Sequence, residues 1–392
     1  MAEQMIKTSL LSLQERNRRH KSVRAAMDRA NLKALIVTGS NLLYLSNGIW
    51  GEMCGLFPLD EQEDFEVILP WRYLVDLDAK VVTDSQEWVK RVSSGRTIAP
   101  PLVERIKGLG LDRERVGFAG EMTQQTYAFL MKSMPDLQLV ESSAILDNVR
   151  TIKSAEEVAL IDRANDVFNA AITRICDVVR PGMTGRNAVE IGRQAMWEAG
   201  GDLDSTFTFN FGAVPAQNPL LANITLDNAI KDGDVATLTA HAHYHHYAGH
   251  SDQEIVFGTP RQRHVKMFDG VKKVRDDVLA SVRAGITNRD LHNAYYAACE
   301  KVGFLSSEHS QMHQYGIDVP EFPGPAYKLS SPGKPLGGGG DFTLRSGMVF
   351  SISPTLADGE AGELLLGGTS LVVTDAGFKE LGVRPVELLV AG

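Results

Sequence analysis

Half of the chain's ten histidines fall within one stretch, GDVATLTAHAHYHHYAGHSDQEIVFG, from Gly233 to Gly258. His241, His243, His245, His246 and His250 stand there beside Asp252 and Glu254. Imidazoles at this density suit three roles: ligation of a transition metal, proton transfer near neutral pH, or a solvated turn. The stretch reads as a β-hairpin, in which residues two apart share a face. His241 and His243 then share a face with Thr239 on the outgoing strand. His245 and His246 make a solvated turn, and His250, Asp252 and Glu254 share a face on the return. A further imidazole, His313, lies in SQMHQYGIDVPEFPG, with Glu321 following it.

The rest of the chain must supply elements that carry these groups. At 392 residues it is long for a single core, so two domains are expected. A formal net charge of -9 without a basic stripe argues against nucleic acid as a partner. No apolar run is long enough to span a bilayer, and the N-terminus lacks the basic-then-apolar layout of a secretory signal. Cys54, Cys176 and Cys299 are too far apart in sequence to suggest a disulfide framework or a cysteine metal site. These features point to a cytoplasmic location.

Residues 1–149 alternate helical and extended segments and read as a mixed α/β domain. SVRAAMDRANL and QQTYAFLMKSMP are its helices; KALIVTG, FEVILPW, AKVVTDS and RVGFAG are its strands. Residues 150–392 form the second domain. It opens with RTIKSAEEVALI, where Ser154 and Glu157 have the spacing of a capping box. Arg150 and Lys153, just before that helix, read as solvated. RPGMTGRNAVEIGRQAMWEAGG recurs as RAGITNRDLHNAYYAACEKVGF, with Thr184 and Thr287 as N-caps. Each helix precedes a strand pair, and aligning Gly233 with Gly347 pairs Thr239 with Ser353. A pseudo-twofold domain with a cleft between its hairpins follows from this duplication.

RTIKSAEEVALI, KDGDVATLT, MHQYGIDVPEFP, RSGMVFSISP and GGTSLVVTDAG together resemble the pita-bread family of creatinase, prolidase, aminopeptidase P and methionine aminopeptidase. The resemblance implies an α/β (α+β) protein, with an N-terminal creatinase-like domain and a pita-bread catalytic domain. The metallopeptidases of that family hold two divalent ions with two Asp, one His and two Glu. Carried onto this chain, the ligand positions fall at Thr239, His250, His313, Ser353 and Gly368, and none of these residues is a carboxylate.

The resemblance therefore leans to the creatinase-like branch, and it implies a cytoplasmic homodimer. The catalytic group expected on this basis is His250 or His313 as acid/base, with Asp252 orienting the imidazole. The expected substrate-binding residues are Gln217, His241, His243, Glu321, Thr239, Ser353 and Trp50. Gln217 stands where creatinase-like enzymes carry their acid/base histidine, a role that an amide cannot fill. No cofactor is the preferred expectation. The alternative is one divalent transition metal (Mn, Fe, Co or Zn) on His250, His313 and Asp252. The function implied is hydrolysis of a C–N bond in a small polar, carboxylate-bearing metabolite. A mononuclear metal hydrolase acting on an aromatic amine or amide, a lyase, and a non-catalytic peptide-binding module are the competing readings.

Overall fold

The computed structural model describes residues 11–49, 51–70, 87–212, 226–306, 311–323, 328–331, 334–336, 341–358 and 363–392. Two units divide it, Met1–Arg150 and Thr151–Gly392.

In the first unit, helix α1 (Leu13–Arg29) leads into β1 (Ala34–Val37), α2 (Gly39–Ser46), β2 (Cys54–Pro58), β3 (Glu66–Pro70) and β4 (Arg91–Gly95). After these come α3 (Ala99–Gly108), β5 (Arg115–Ala119), α4 (Gln124–Ser133), β6 (Gln138–Glu141) and α5 (Ser143–Arg150). The strands form one sheet in the order β4-β3-β2-β1-β5-β6. The β1–β2 and β2–β3 pairs are antiparallel and the others parallel, so the domain is mixed α/β. The strand expected at AKVVTDS lies outside the described residues. Arg19 is buried, and its burial is offset by Glu15, which binds it at 2.7 Å, and by the Tyr44 ring, whose centroid is 4.0 Å from the guanidinium carbon. Arg150 is buried rather than solvated, and its guanidinium donates to Asn41 Oδ1 at 3.1 Å.

The second unit begins with α6 (Ala155–Val178), α7 (Gly185–Glu198) and the strands β7 (Thr206–Phe211), β8 (Val235–Tyr244), β9 (Tyr247–Gly249) and β10 (Asp252–Phe257). Its second half holds α8 (Gln262–Leu279), α9 (Asn288–Val302), β11 (Leu305–Ser306), β12 (Gln311–Gln314), β13 (Lys328–Ser331) and β14 (Lys334–Leu336). The chain ends with β15 (Val349–Ser353), β16 (Thr355–Asp358), β17 (Glu363–Leu366), β18 (Thr369–Val373), β19 (Phe378–Leu381) and β20 (Leu389–Ala391). One sheet runs β20-β10-β8-β7 with β9 on β8; its counterpart runs β12-β15-β18-β19.

The duplication extends to atomic detail. Thr184 and Thr287 each close a reciprocal capping box, with Asn187 and Asp290 respectively. Gly182 N and Gly285 N donate to Ile230 O (2.8 Å) and Leu344 O (2.9 Å). Arg186 pairs with Asp227 at 2.7 Å, and Arg289 with Asp341 at 2.9 Å. Gly233 and Gly347 turn into the inner strands at φ +79° and +88°, a region an L side chain would strain to enter.

Each half also buries one face of its inner strands against its own helices. On β8, Ala236, Leu238, Ala240 and Ala242 join Phe207, Phe209 and the helix residues Phe168 and Ile172 in one core. On β15 and β18, Phe350, Ile352, Leu371 and Val373 join Val271, Val274 and Leu291 in the other. Strand alternation then puts Thr237, Thr239 and His241, and Ser351 and Ser353, on the opposite faces.

Candidate active site

Those opposite faces meet around Asp252. Antiparallel pairing sets Asp252 across from Thr239 and Glu254 across from Thr237. Thr239 Oγ1 donates to Asp252 Oδ1 at 2.5 Å, and Ser353 Oγ donates to Oδ2 from the other half. Glu254 accepts from Thr237 Oγ1 (2.9 and 3.0 Å) and from Leu366 N (3.0 Å). Burial raises the pKa of both carboxyls, against the hydrogen bonds that favour the ionised form.

Three imidazoles line up beside this carboxyl pair. The His241 and His250 ring centroids are 5.9 Å apart, and those of His250 and His313 are 4.8 Å apart. His250 Nδ1 donates to Ala240 O at 2.9 Å and His313 Nδ1 to Gln314 O at 3.2 Å; a carbonyl only accepts, so the proton is on Nδ1 in both rings. Burial pushes His250 down to about 3, reinforced by the neighbouring His313 and opposed by the Ala240 carbonyl. Burial also lowers His313, opposed by the Gln314 carbonyl and Asp252, and lowers His241, opposed by Asp252. All three are neutral imidazoles at neutral pH.

A buried polar network fixes His250 from behind. Ser370 Oγ lies 2.6 Å from His250 O and 2.9 Å from Asn165 Oδ1, and Asn165 Nδ2 donates to the Tyr315 hydroxyl at 3.2 Å. The Tyr315 ring stands edge-on to His250, with centroids 6.0 Å apart. Ser351 faces the same way, paired across the ladder with His313 on one side and Ser370 on the other. Ser351, Ser370, Asn165 and Tyr315 were absent from the sequence expectations. The alternation in MVFSISP places Ser351 on the face of Ser353 and was the available signal. The links to Asn165 and Tyr315 span the whole domain and leave no local signature.

The other expected residues divide as follows. Thr239, Ser353, His241, His250, His313 and Asp252 come together. Asp252, expected to orient an imidazole, instead binds the Thr239 and Ser353 hydroxyls. His243 lies towards the end of β8, where its Nδ1 approaches Asp204 at 3.7 Å. His245 and His246 are half-buried rather than solvated. They take φ +50° and +67°, the left-handed pair that a two-residue hairpin turn requires, and their amides donate to the Asp202 carboxylate at 2.9 and 2.6 Å.

Glu321 does not present its carboxylate to the imidazoles. Its Oε2 binds Lys153 Nζ at 2.8 Å and its Oε1 accepts from Ile317 N and Asp318 N at 2.9 and 3.2 Å, which ties down the loop after His313. Lys153, expected to be solvated, is thereby buried. Gln217 and Trp50 lie outside the described residues.

The dinuclear arrangement of the resembling metallopeptidases does not fit these residues. Thr239 and Ser353 offer hydroxyls, already spent on Asp252. Position 368 has no room for a glutamate, since a Cβ there would stand 2.4 Å from Asp252 N and 2.8 Å from Ser353 Oγ. Among the described residues, no group of three His, Cys, Asp or Glu is placed to hold a metal ion, the expected His250–His313–Asp252 set included.

Comparison with known proteins places the chain in a family. Residues 159–383 match the model of metallopeptidase family M24, and residues 19–152 match the creatinase/prolidase N-terminal domain. A Xaa-Pro dipeptidase of Pyrococcus horikoshii is 22% identical over 298 residues, covering 73% of this chain and 76% of that protein. The ectoine hydrolase of Halomonas elongata is 21% identical over 292 residues, covering 72% and 69%. The structure of a Xaa-Pro dipeptidase from Bacillus anthracis superposes with a TM-score of 0.79 at 19% identity, covering 96% of this chain and 99% of that one.

The match corrects the expectation that no cofactor is needed, because a metallopeptidase family implies a divalent metal. The ligand positions carried over by resemblance are nevertheless filled by residues that do not suit the family's ion pair. With its N-terminal domain, its duplicated halves and a family model spanning more than half its length, the chain belongs to metallopeptidase family M24, as a hydrolase with the pita-bread fold.

Proposed function

We propose that the chain hydrolyses a C–N bond in a small polar metabolite, and that proton transfer runs through His313. The observation that carries this reading is the convergence of His241, His250 and His313 on one another, at 5.9 and 4.8 Å between ring centroids, beside Asp252. His313 is the proton carrier because burial keeps it neutral at neutral pH while Asp252 supports its charged form. As a neutral base it accepts a proton at Nε2 from the attacking water and returns it to the departing nitrogen, so the imidazole ends as it began.

His250, held down to about 3, stays uncharged throughout and serves as a fixed polar wall. Asp252 joins the two halves through Thr239 and Ser353 and keeps the imidazole faces in register. The reading places the enzyme nearer ectoine hydrolase and creatinase than the Xaa-Pro peptidases, as a cytoplasmic homodimer. Its support is the loss of carboxylates at Thr239, Ser353 and Gly368.

The test is amine release from a panel of small amides, ureas, cyclic amidines and dipeptides, with and without added divalent metal, by the natural chain and by His313→Gln. The natural chain should release amine from at least one class, and the variant should lose about 10²–10⁴-fold in kcat. Equal rates for both proteins, or no release from any class, would remove the reading.

A further inference from the structure

Among the described residues, two buried side-chain atoms of the imidazole cluster have no hydrogen-bond partner: His250 Nε2 and Ser351 Oγ. They belong to one place, since Ser351 pairs across the ladder with His313 and with Ser370, whose hydroxyl lies 2.6 Å from His250 O. The state of His250 Nε2 follows from its other nitrogen. Nδ1 gives its proton to Ala240 O at 2.9 Å, so Nε2 carries a lone pair and can only accept. His313 is in the same condition, with Nδ1 donating to Gln314 O, and its ring centroid is 4.8 Å from that of His250. The hydroxyl donors at the ligand positions, those of Thr239 and Ser353, are already directed at Asp252. Towards a ligand the two imidazoles present lone pairs, and the Ser351 hydroxyl, unpartnered among the described residues, can donate or accept.

Leaving a buried acceptor unmade costs about 1–3 kcal/mol. A carboxylate or ether oxygen placed against His250 Nε2 would set acceptor against acceptor and be repelled by its lone pair. A ligand that brings a hydrogen removes the penalty. We propose that this site selects its ligand by an N–H group donated to His250 Nε2. The class it takes is therefore a primary or secondary amide, urea, amidine or amine nitrogen. A tertiary amide, such as the bond preceding a proline, has no hydrogen to give and is rejected. A carboxylate on the same ligand points away from His250. The inference rests on the hydrolase reading only in taking this nitrogen for the one released; the binding preference stands apart from it.

The test uses protein labelled with ¹⁵N in its histidine rings and four probes of similar shape: acetamide, N-methylacetamide, N,N-dimethylacetamide and acetate. Acetamide and N-methylacetamide should move the His250 Nε2 resonance and bind about tenfold or more tightly than N,N-dimethylacetamide, the ratio one unmade hydrogen bond produces. Acetate should leave the resonance in place. His250→Gln, which retains an acceptor, should keep the order of affinities, and His250→Leu should abolish it, with cooperative unfolding of both variants verifying that they fold.

Equal affinity for the dimethyl probe or acetate would overturn the proposal, and so would a resonance that no probe moves, which would mark Nε2 as satisfied by resident solvent. Turnover is scored separately. Preference for N–H probes without amine release from any substrate class removes the hydrolase reading and leaves the ligand class standing. Amine release without that preference does the reverse.

Discussion

The two halves of the duplicated unit enter their inner strands through the same chemistry and then put different groups on the inner face. Gly233 and Gly347 make equivalent left-handed turns, and Thr184 and Thr287 cap equivalent helices. Beyond the turns, the first half presents Thr239, His241, His250 and Asp252, all but one titratable. The second presents His313, Ser351, Ser353 and Gly368, of which only the imidazole titrates. Repeated scaffolding with unlike inner faces shows that the fold depends on the outward, apolar positions of each strand, whereas the chemistry is free to differ at the alternate positions. Proton-active groups come mostly from one half, and the other supplies the Ser353 hydroxyl that, with Thr239, holds Asp252.

The halves also differ in how their loops are anchored, and breaking the anchors should separate them most clearly. In the second half the Lys153–Glu321 pair is buried at 2.8 Å, so Glu321→Ala leaves an ammonium without its partner. Denaturant unfolding should register a loss of about 3–5 kcal/mol. A tie in the first half is the Tyr247 hydroxyl donating to the Glu157 carboxylate at 3.1 Å, and Tyr247→Phe should cost less, about 1.5–3 kcal/mol. Similar losses for the two variants would mean that the anchors are equivalent after all.

Next in size is the acid response of the first half. His250 is neutral when folded, down to about 3, against an ordinary imidazole value of 6.5. Unfolding lets it take up a proton once the pH is below the ordinary value. Its contribution is complete above pH 6.5 and is lost as the pH falls from 6.5 towards 3, at up to about 1.4 kcal/mol per pH unit. Asp252 has the opposite sign: its folded value is raised, so its contribution is present below 3.8 and fades as the pH rises through the folded value. Comparing the unfolding free energy of the natural chain with that of His250→Leu between pH 7 and pH 4 should reveal a flatter profile in the variant. Parallel profiles would assign the acid response elsewhere.

Gly368→Ala tests the crowding on the second half. The added Cβ meets Asp252 N at 2.4 Å, and backbone cannot yield as a flexible side chain does. A loss of about 1–3 kcal/mol is expected in thermal or denaturant unfolding, with Gly233→Ala in the first half strained instead by its φ of +79°. A neutral Gly368→Ala would mean that position 368 has room for a ligand side chain.

The smallest effect contrasts the two hydroxyls on Asp252. Thr239→Val and Ser353→Ala each remove one donor from a buried carboxyl, at about 1 kcal/mol or somewhat more. In a double-mutant cycle the two should be non-additive, because both act on the same carboxyl. Strict additivity would show that Asp252 does not join the halves.

Much of this was legible in the sequence because its causes are local. Capping boxes at Ser154 and Thr287 act over three residues, the repeat is written in matched turns, and alternation put His241 on the face of Thr239. The loss of carboxylates at Thr239, Ser353 and Gly368 could likewise be read by position. Lys153 was read as solvated, Glu321 as a substrate contact and Asp252 as the partner of an imidazole; each instead binds a group that no local pattern reveals, Lys153 and Glu321 one another across 168 residues and Asp252 the Ser353 hydroxyl 101 residues away.

The sequence by itself determined the duplicated scaffold and which residue types could face its cleft, since hydrogen-bond periodicity and turn stereochemistry operate between near neighbours. The tertiary structure alone decided which nitrogen of His250 holds the proton, that Asp252 serves two hydroxyls instead of an imidazole, and that position 368 must remain without a side chain. Those outcomes depend on burial and on atoms from both halves meeting within a few ångströms, which no local pattern encodes.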